Sequence, residues 1–140
     1  MTVTVVGMWE HGWLDQKVEL FMFRQLRGAY KYDRLVMVPN LYDGGATAVD
    51  QYDTIEEALA TCKGRKVFLE PTGESRMTDI PLDEDIVIIM GNAFDGNKRR
   101  ASPDDLVVRI DSPGQTDMFA VNAAAIVLDR LNERRQQNSA

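Results

Sequence analysis

Five short runs set the strongest limit on what this chain can become: Thr2 to Val6, Arg34 to Val38, Lys66 to Leu69, Ile86 to Met90 and Leu106 to Ile110. Each is dominated by β-branched or aliphatic residues over a length that suits a strand and not a helix. In RLVMV, KVFL and IVIIM the apolar residues are consecutive, so both faces of those strands must leave water. That pattern belongs to a parallel sheet covered on both sides.

The segments between the runs supply the cover. Asp15 to Arg27 holds good helix formers, with Asp15 placed as N-cap and Gly28 placed to stop the helix. Thr54 followed by Glu57 is a capping-box signature, opening a helix that runs to about Cys62. A last, long helix is expected from Asp117 to about Arg134. Strands interleaved with helices predict a three-layer α/β domain. The 140 residues suit one core, so a single domain is expected over 1–135, with 136–140 (QQNSA) as a flexible tail.

Several function classes are disfavoured at this level. The longest apolar runs, Ile86 to Met90 and Met118 to Leu128, fall well short of the roughly 20 residues a bilayer span needs, so no membrane association is expected. No basic residue precedes the first apolar stretch, which reads as a strand and not as a secretory signal. A single cysteine, Cys62, allows no internal disulfide and fits a reducing cytoplasm. With one His and one Cys, a metal site is not expected. The net charge of −6 argues against broad attraction to nucleic acid. Two local basic groups remain candidates: Lys98, Arg99 and Arg100 in one loop, and Arg130, Arg134 and Arg135 near the C-terminus.

In open parallel sheets, ligands collect beyond the carboxyl ends of the strands. Three loops expected there carry glycine: Pro71-Thr72-Gly73, the stretch from Gly91 to Gly96, and Ser112 to Thr116. Glycine lets a ligand approach the main chain, though it also simply makes turns. Neither GxxxxGK[ST] nor a GxGxxG after a strand is present, so the usual phosphate cradles are absent. The last helix adds a second clue, because Asn122 is the only polar residue between Met118 and Leu128. A helix apolar around most of its circumference must be covered on several sides. A second copy of the chain is one cover and a central place in a monomer's core is the other.

Taken together, IIMGN, the second glycine at Gly96, the strand VVRI, a short Pro/Gly loop and the helix MFAVNAAAIVLDRL resemble the closing half of the SPOUT methyltransferases. The resemblance is best over residues 86–131. It implies an α/β fold with a C-terminal trefoil knot and a homodimer packed through the first and last helices. It also implies binding of S-adenosylmethionine and methylation of tRNA or rRNA. Carried over by position, the cofactor residues are Pro71, Thr72, Gly73, Gly91, Asn92, Gly96, Ile110, Ser112 and Met118.

The polar catalytic positions depart from that family's best-known branch. Ala93 stands where that branch has glutamate, Asp117 and Phe119 stand near its Ser/Asn pair, and Met22 stands at its helix arginine, with Arg24 two positions away. Replacement catalytic candidates are therefore Arg24, Asp95 and Asp117, and Lys98, Arg99 and Arg100 are candidates for meeting RNA phosphates, each with a plain solvated loop or helix residue as its alternative. His11 between Trp9 and Trp13 could stack a base, or could be ordinary packing over a sheet end. Two function readings follow: a methyltransferase acting on RNA, or a knotted dimeric binding or regulatory module without catalysis.

Overall fold

The computed structural model describes residues 1–43, 49–92, 95–114 and 116–139. Ala93 and the glycine-rich stretch at Gly44 and Gly45 lie outside them. Seven parallel strands form one sheet: β1 (Val3–Met8), β2 (Arg34–Val38), β3 (Asp50–Gln51), β4 (Arg65–Leu69), β5 (Ser75–Arg76), β6 (Ile86–Ile89) and β7 (Leu106–Arg109). Their order across the sheet is β3-β2-β1-β6-β4-β7-β5. The five runs read from the sequence are the central strands. The edge strands β3 and β5 escaped that reading because two residues carry no periodicity.

Three α-helices lie among the described residues: α1 (Gln16–Tyr30), α2 (Ile55–Ala60) and α3 (Ala120–Asn138). Alternate residues of the central strands divide the core. Val3, Val5, Ile86 and Ile88 face α1 and α3, where Leu20, Phe23, Val127 and Leu131 pack on them. Val6, Val36, Val87 and Ile89 face α2, meeting Ile55 and Ala58. The three-layer α/β expectation holds.

Three boundaries differ from expectation. Gly28 does not end α1, because the αL stop falls on Lys31 (φ 55°), whose N–H donates to Arg27 O. Arg27 fixes that end by donating to the carbonyls of Tyr32 and Asp33. The first strand runs past the Thr2 to Val6 run, through Gly7 to Met8, and a Cβ on Gly7 would sit 2.9 Å from Met37 Sδ. Finally, α3 begins at Ala120 and continues through Asn138, into the stretch expected to be a free tail.

The insertion of β7 between β4 and β5, both earlier in the chain, places a late segment of the sequence inside the sheet, one strand in from its edge. The link joining β4 to β5 therefore passes directly over β7. A Cβ on Gly73 would lie 2.6 Å from Val107 O, so no larger residue fits that crossing. Glu70 N–H donates to Val108 O and Arg109 Nη1 donates to Gly73 O, both at 3.0 Å, which ties the link to the strand beneath it.

Candidate functional site

Beyond the carboxyl ends of β4, β6 and β7 lies a cavity of about 270 Å³. Its walls are drawn from three parts of the chain: Leu69, Glu70 and Pro71 after β4; Met90, Gly91, Asn92, Asp95 and Gly96 after β6; and residues of β7, of the stretch that follows it and of the start of α3, from Val108 to Ser112, from Thr116 to Met118, and Ala120 and Ala123. The volume is near the lower end of the range for small-molecule sites.

The middle wall is shaped by close main-chain approach. A Cβ on Gly91 would overlap Asp95 O and lie 2.8 Å from Gly96 Cα. Asn92 closes the turn by accepting Asp95 N–H on Oδ1 (2.9 Å), while its Nδ2 donates to Trp9 O (3.0 Å). Asn97, fully buried, donates from Nδ2 to Met90 O at 3.2 Å and accepts Arg100 Nη1 at 2.7 Å. The segment is thus anchored to β6 at one end and to the start of β1's outgoing loop at the other. Neither Asn97 nor Glu70 stood out in the sequence, because an anchoring asparagine leaves no spacing signature.

On the third wall, the start of α3 has an unusual cap. Phe119 occupies the N-cap position and its ring offers no acceptor, and the buried Glu10 carboxylate accepts Ala120 N–H at 3.3 Å instead. Glu10 N–H in turn donates to Glu19 Oε1 at 3.0 Å, and both glutamates are fully buried. Burial raises the Glu19 pKa from the ordinary 4.5 to about 7, against the lowering effect of the Glu10 N–H, with the Glu10 charge adding to the rise. A residue separated from Ala120 by 110 positions was not readable as its cap.

Of the residues expected at the cofactor loops, Pro71, Gly91, Asn92, Gly96, Ile110, Ser112 and Met118 line this cavity, as do Asp95 and Asp117. Two others do not. Gly73 is buried against β7, and Thr72 accepts Lys98 Nζ on its carbonyl and hydroxyl oxygens. Arg24 is an exposed residue of α1 and is not part of the lining. Met22 packs half-buried against the core.

Asp95 is committed to a partner: Arg99 donates to both of its carboxylate oxygens at 2.9 and 3.1 Å. That guanidinium holds the Asp95 carboxyl below the usual carboxylate range. The other basic loop residues are also engaged, Lys98 on Thr72 and Arg100 on Glu56 Oε1 at 2.7 Å. The Trp9, His11 and Trp13 cluster does not form one surface. Trp9 is buried and stacked on Tyr42 at 6.1 Å between ring centroids, whereas His11 and Trp13 are exposed. Among the described residues no group of three His, Cys, Asp or Glu is placed to hold a metal, and no helix is long and apolar enough to cross a membrane.

No protein-family model and no curated protein matches the chain. Solved structures do. An RNA 2'-O ribose methyltransferase superposes with a TM-score of 0.74 at 16% identity, over 96% of this chain and 57% of that one. A SpoU methyltransferase of Streptomyces viridochromogenes in complex with AdoMet gives 0.73 at 14%, over 96% and 58%. The chain has the SpoU methyltransferase fold. It spans little more than half of those two proteins, but a third structure, described in terms of 2-OH methylation on tRNA, is matched over 99% of both chains at a TM-score of 0.73 and 11% identity. In the SpoU fold of this chain, the cavity is built from the glycine-bearing loops that the resemblance had marked, with Thr72 and Gly73 supporting it from outside.

Proposed function

We propose that this chain binds S-adenosylmethionine in the cavity beyond β4, β6 and β7 and methylates an RNA, as a homodimer whose C-terminal chain is threaded under the 70–74 link as a trefoil knot. The observation that carries this reading is a cavity walled by the close-packed main chain at Gly91 and Gly96, on a fold whose solved members include one with AdoMet bound. Peptide groups held this way present donors and acceptors without side-chain entropy to lose on binding. When bound, the cofactor supplies an electrophilic methyl group on sulfur. What remains for the protein is to align an acceptor oxygen or nitrogen and to take up its proton.

Asp117, exposed at the cavity wall, is the best placed of the carboxylates for that proton. Asp95 is a weaker base because Arg99 stabilises its charged form. Arg24 takes part only if a second copy brings α1 to the cavity. Exposed Val18 and Phe21 on α1, 49% and 62% accessible, give that helix an apolar face suited to such a contact. Lys98, Arg99 and Arg100 meet RNA only by exchanging their internal partners for phosphates.

Those same internal partners favour a second reading, a cofactor-binding module without catalysis. Incubation with labelled S-adenosylmethionine and total cellular RNA separates the two. Methyl incorporation that is lost in Asp117→Asn supports the enzyme, and binding of the cofactor without incorporation into any RNA supports the module. Absence of cofactor binding at millimolar concentration defeats both.

A further inference from the structure

The charge balance of the cavity is uneven. Glu70, Asp95, Asp111 and Asp117 line it, and Arg109 is the only guanidinium among the lining residues. Asp95 is matched by Arg99, and Asp111 by Arg109 at 2.9 Å and Arg76 at 4.0 Å. Glu70 and Asp117 make no ion pair among the described residues. Asp117 is exposed and its charge is screened by water. Glu70 differs in its surroundings. It is half-buried at the end of β4, its Oε1 accepts Asn97 N–H at 2.6 Å, and its Oε2 lies 2.7 Å from where a Cβ of Gly96 would be. The carboxylate is therefore held by the middle wall of the cavity, where the dielectric is lower and an added positive charge is felt more strongly.

We propose that Glu70 is a specificity-determining residue: its carboxylate makes the cavity prefer the positively charged methyl donor over the thioether product. This rests on the cofactor reading above. S-adenosylmethionine carries one more positive charge than S-adenosylhomocysteine, at sulfur, and is otherwise nearly the same shape. Arg99 feels the Glu70 charge but pairs with Asp95, so a cavity whose partly buried Glu70 carboxylate makes no ion pair of its own binds the two unequally, and loss of the sulfonium charge on transfer loosens the product. Uncharged side chains at the same place would hold donor and product alike, because the remaining contacts are common to both.

Glu70→Gln tests this cleanly, since a glutamine Oε1 still accepts Asn97 N–H and fills the same volume. Calorimetric titration of the wild-type protein is expected to give about tenfold tighter binding of S-adenosylmethionine than of S-adenosylhomocysteine. In Glu70→Gln that ratio is expected to fall to near one, through weaker binding of the donor alone. Glu70→Asp, which keeps the charge, is expected to retain a preference for the donor, and it serves as the test should the glutamine variant fail to fold. An unchanged ratio in Glu70→Gln, or equal weakening of both ligands, overturns the role of Glu70 while leaving the cofactor reading intact. Binding of neither ligand by the wild type overturns both.

Discussion

Beyond the carboxyl end of β1 the chain places Trp9 and Glu10, both with 0% exposure, whereas beyond the adjacent β6 it places Gly91 and a turn of main chain. The two strands are parallel neighbours in register, Val5 opposite Ile88, so their ends face the same way. One end is filled by an indole stacked on Tyr42 and by a carboxylate capping α3, and the other opens into the cavity. A sheet end in this fold becomes a site when glycine lets loops approach through their peptide groups, and becomes core when a large side chain occupies the same depth. The halves are also joined, since Asn92 reaches back to Trp9 O.

Four experiments break or sharpen this contrast. The largest effect is expected for Trp9→Ala, which empties the filled end. Stability to urea should fall by about 3–5 kcal/mol, and a loss under 1 kcal/mol would show that the indole is not core.

The next concerns the carboxylates behind Trp9. Glu19 has a folded pKa raised to about 7 from 4.5, so its contribution to stability is complete below pH 4.5 and is lost as pH rises through 7. At most this amounts to about 3 kcal/mol. Glu19→Gln keeps an acceptor for Glu10 N–H and cannot ionise, so melting temperatures measured from pH 5 to 8 should decline less for the variant than for the wild type. Parallel profiles would remove Glu19 from the account.

On the open side, Gly91→Ala forces a methyl group onto Asp95 O. Overpacking of this kind costs about 1–3 kcal/mol, and calorimetry should show at least a tenfold loss of S-adenosylmethionine affinity. Undiminished affinity would mean that the turn plays no part in holding the ligand. The smallest effect is expected for Arg99→Ala. Its pair with Asp95 is exposed on both sides, 59% and 42%, so stability should change by less than about 1 kcal/mol. The Asp95 carboxyl should meanwhile titrate closer to its ordinary range, measurable by NMR.

Much of this architecture was written locally in the chain. The runs at Val36, Phe68 and Ile88 had to be buried on both faces, and Thr54 capped α2 as its spacing to Glu57 required, with Glu57 N–H donating to Thr54 Oγ1 at 3.1 Å. The glycine loops were legible as well, since a glycine after a buried strand is a local signal. Gly28 misled because a helix tolerates glycine where its flanking residues and tertiary contacts continue the pattern, and here the stop passed to Lys31.

By itself, then, the sequence determined the central strands, the helices between them and the loops where a ligand could sit, because burial periodicity, capping and glycine act over a few neighbouring residues. Only the tertiary structure decided that β7 lies between β4 and β5, that Glu10 caps a helix 110 positions away, that Asn97 anchors the middle wall and that Glu70, among the described residues, makes no ion pair. Those features depend on which distant segments meet. Such meetings are fixed by the packing of the whole domain, where a single contact leaves no trace in the spacing of the residues around it.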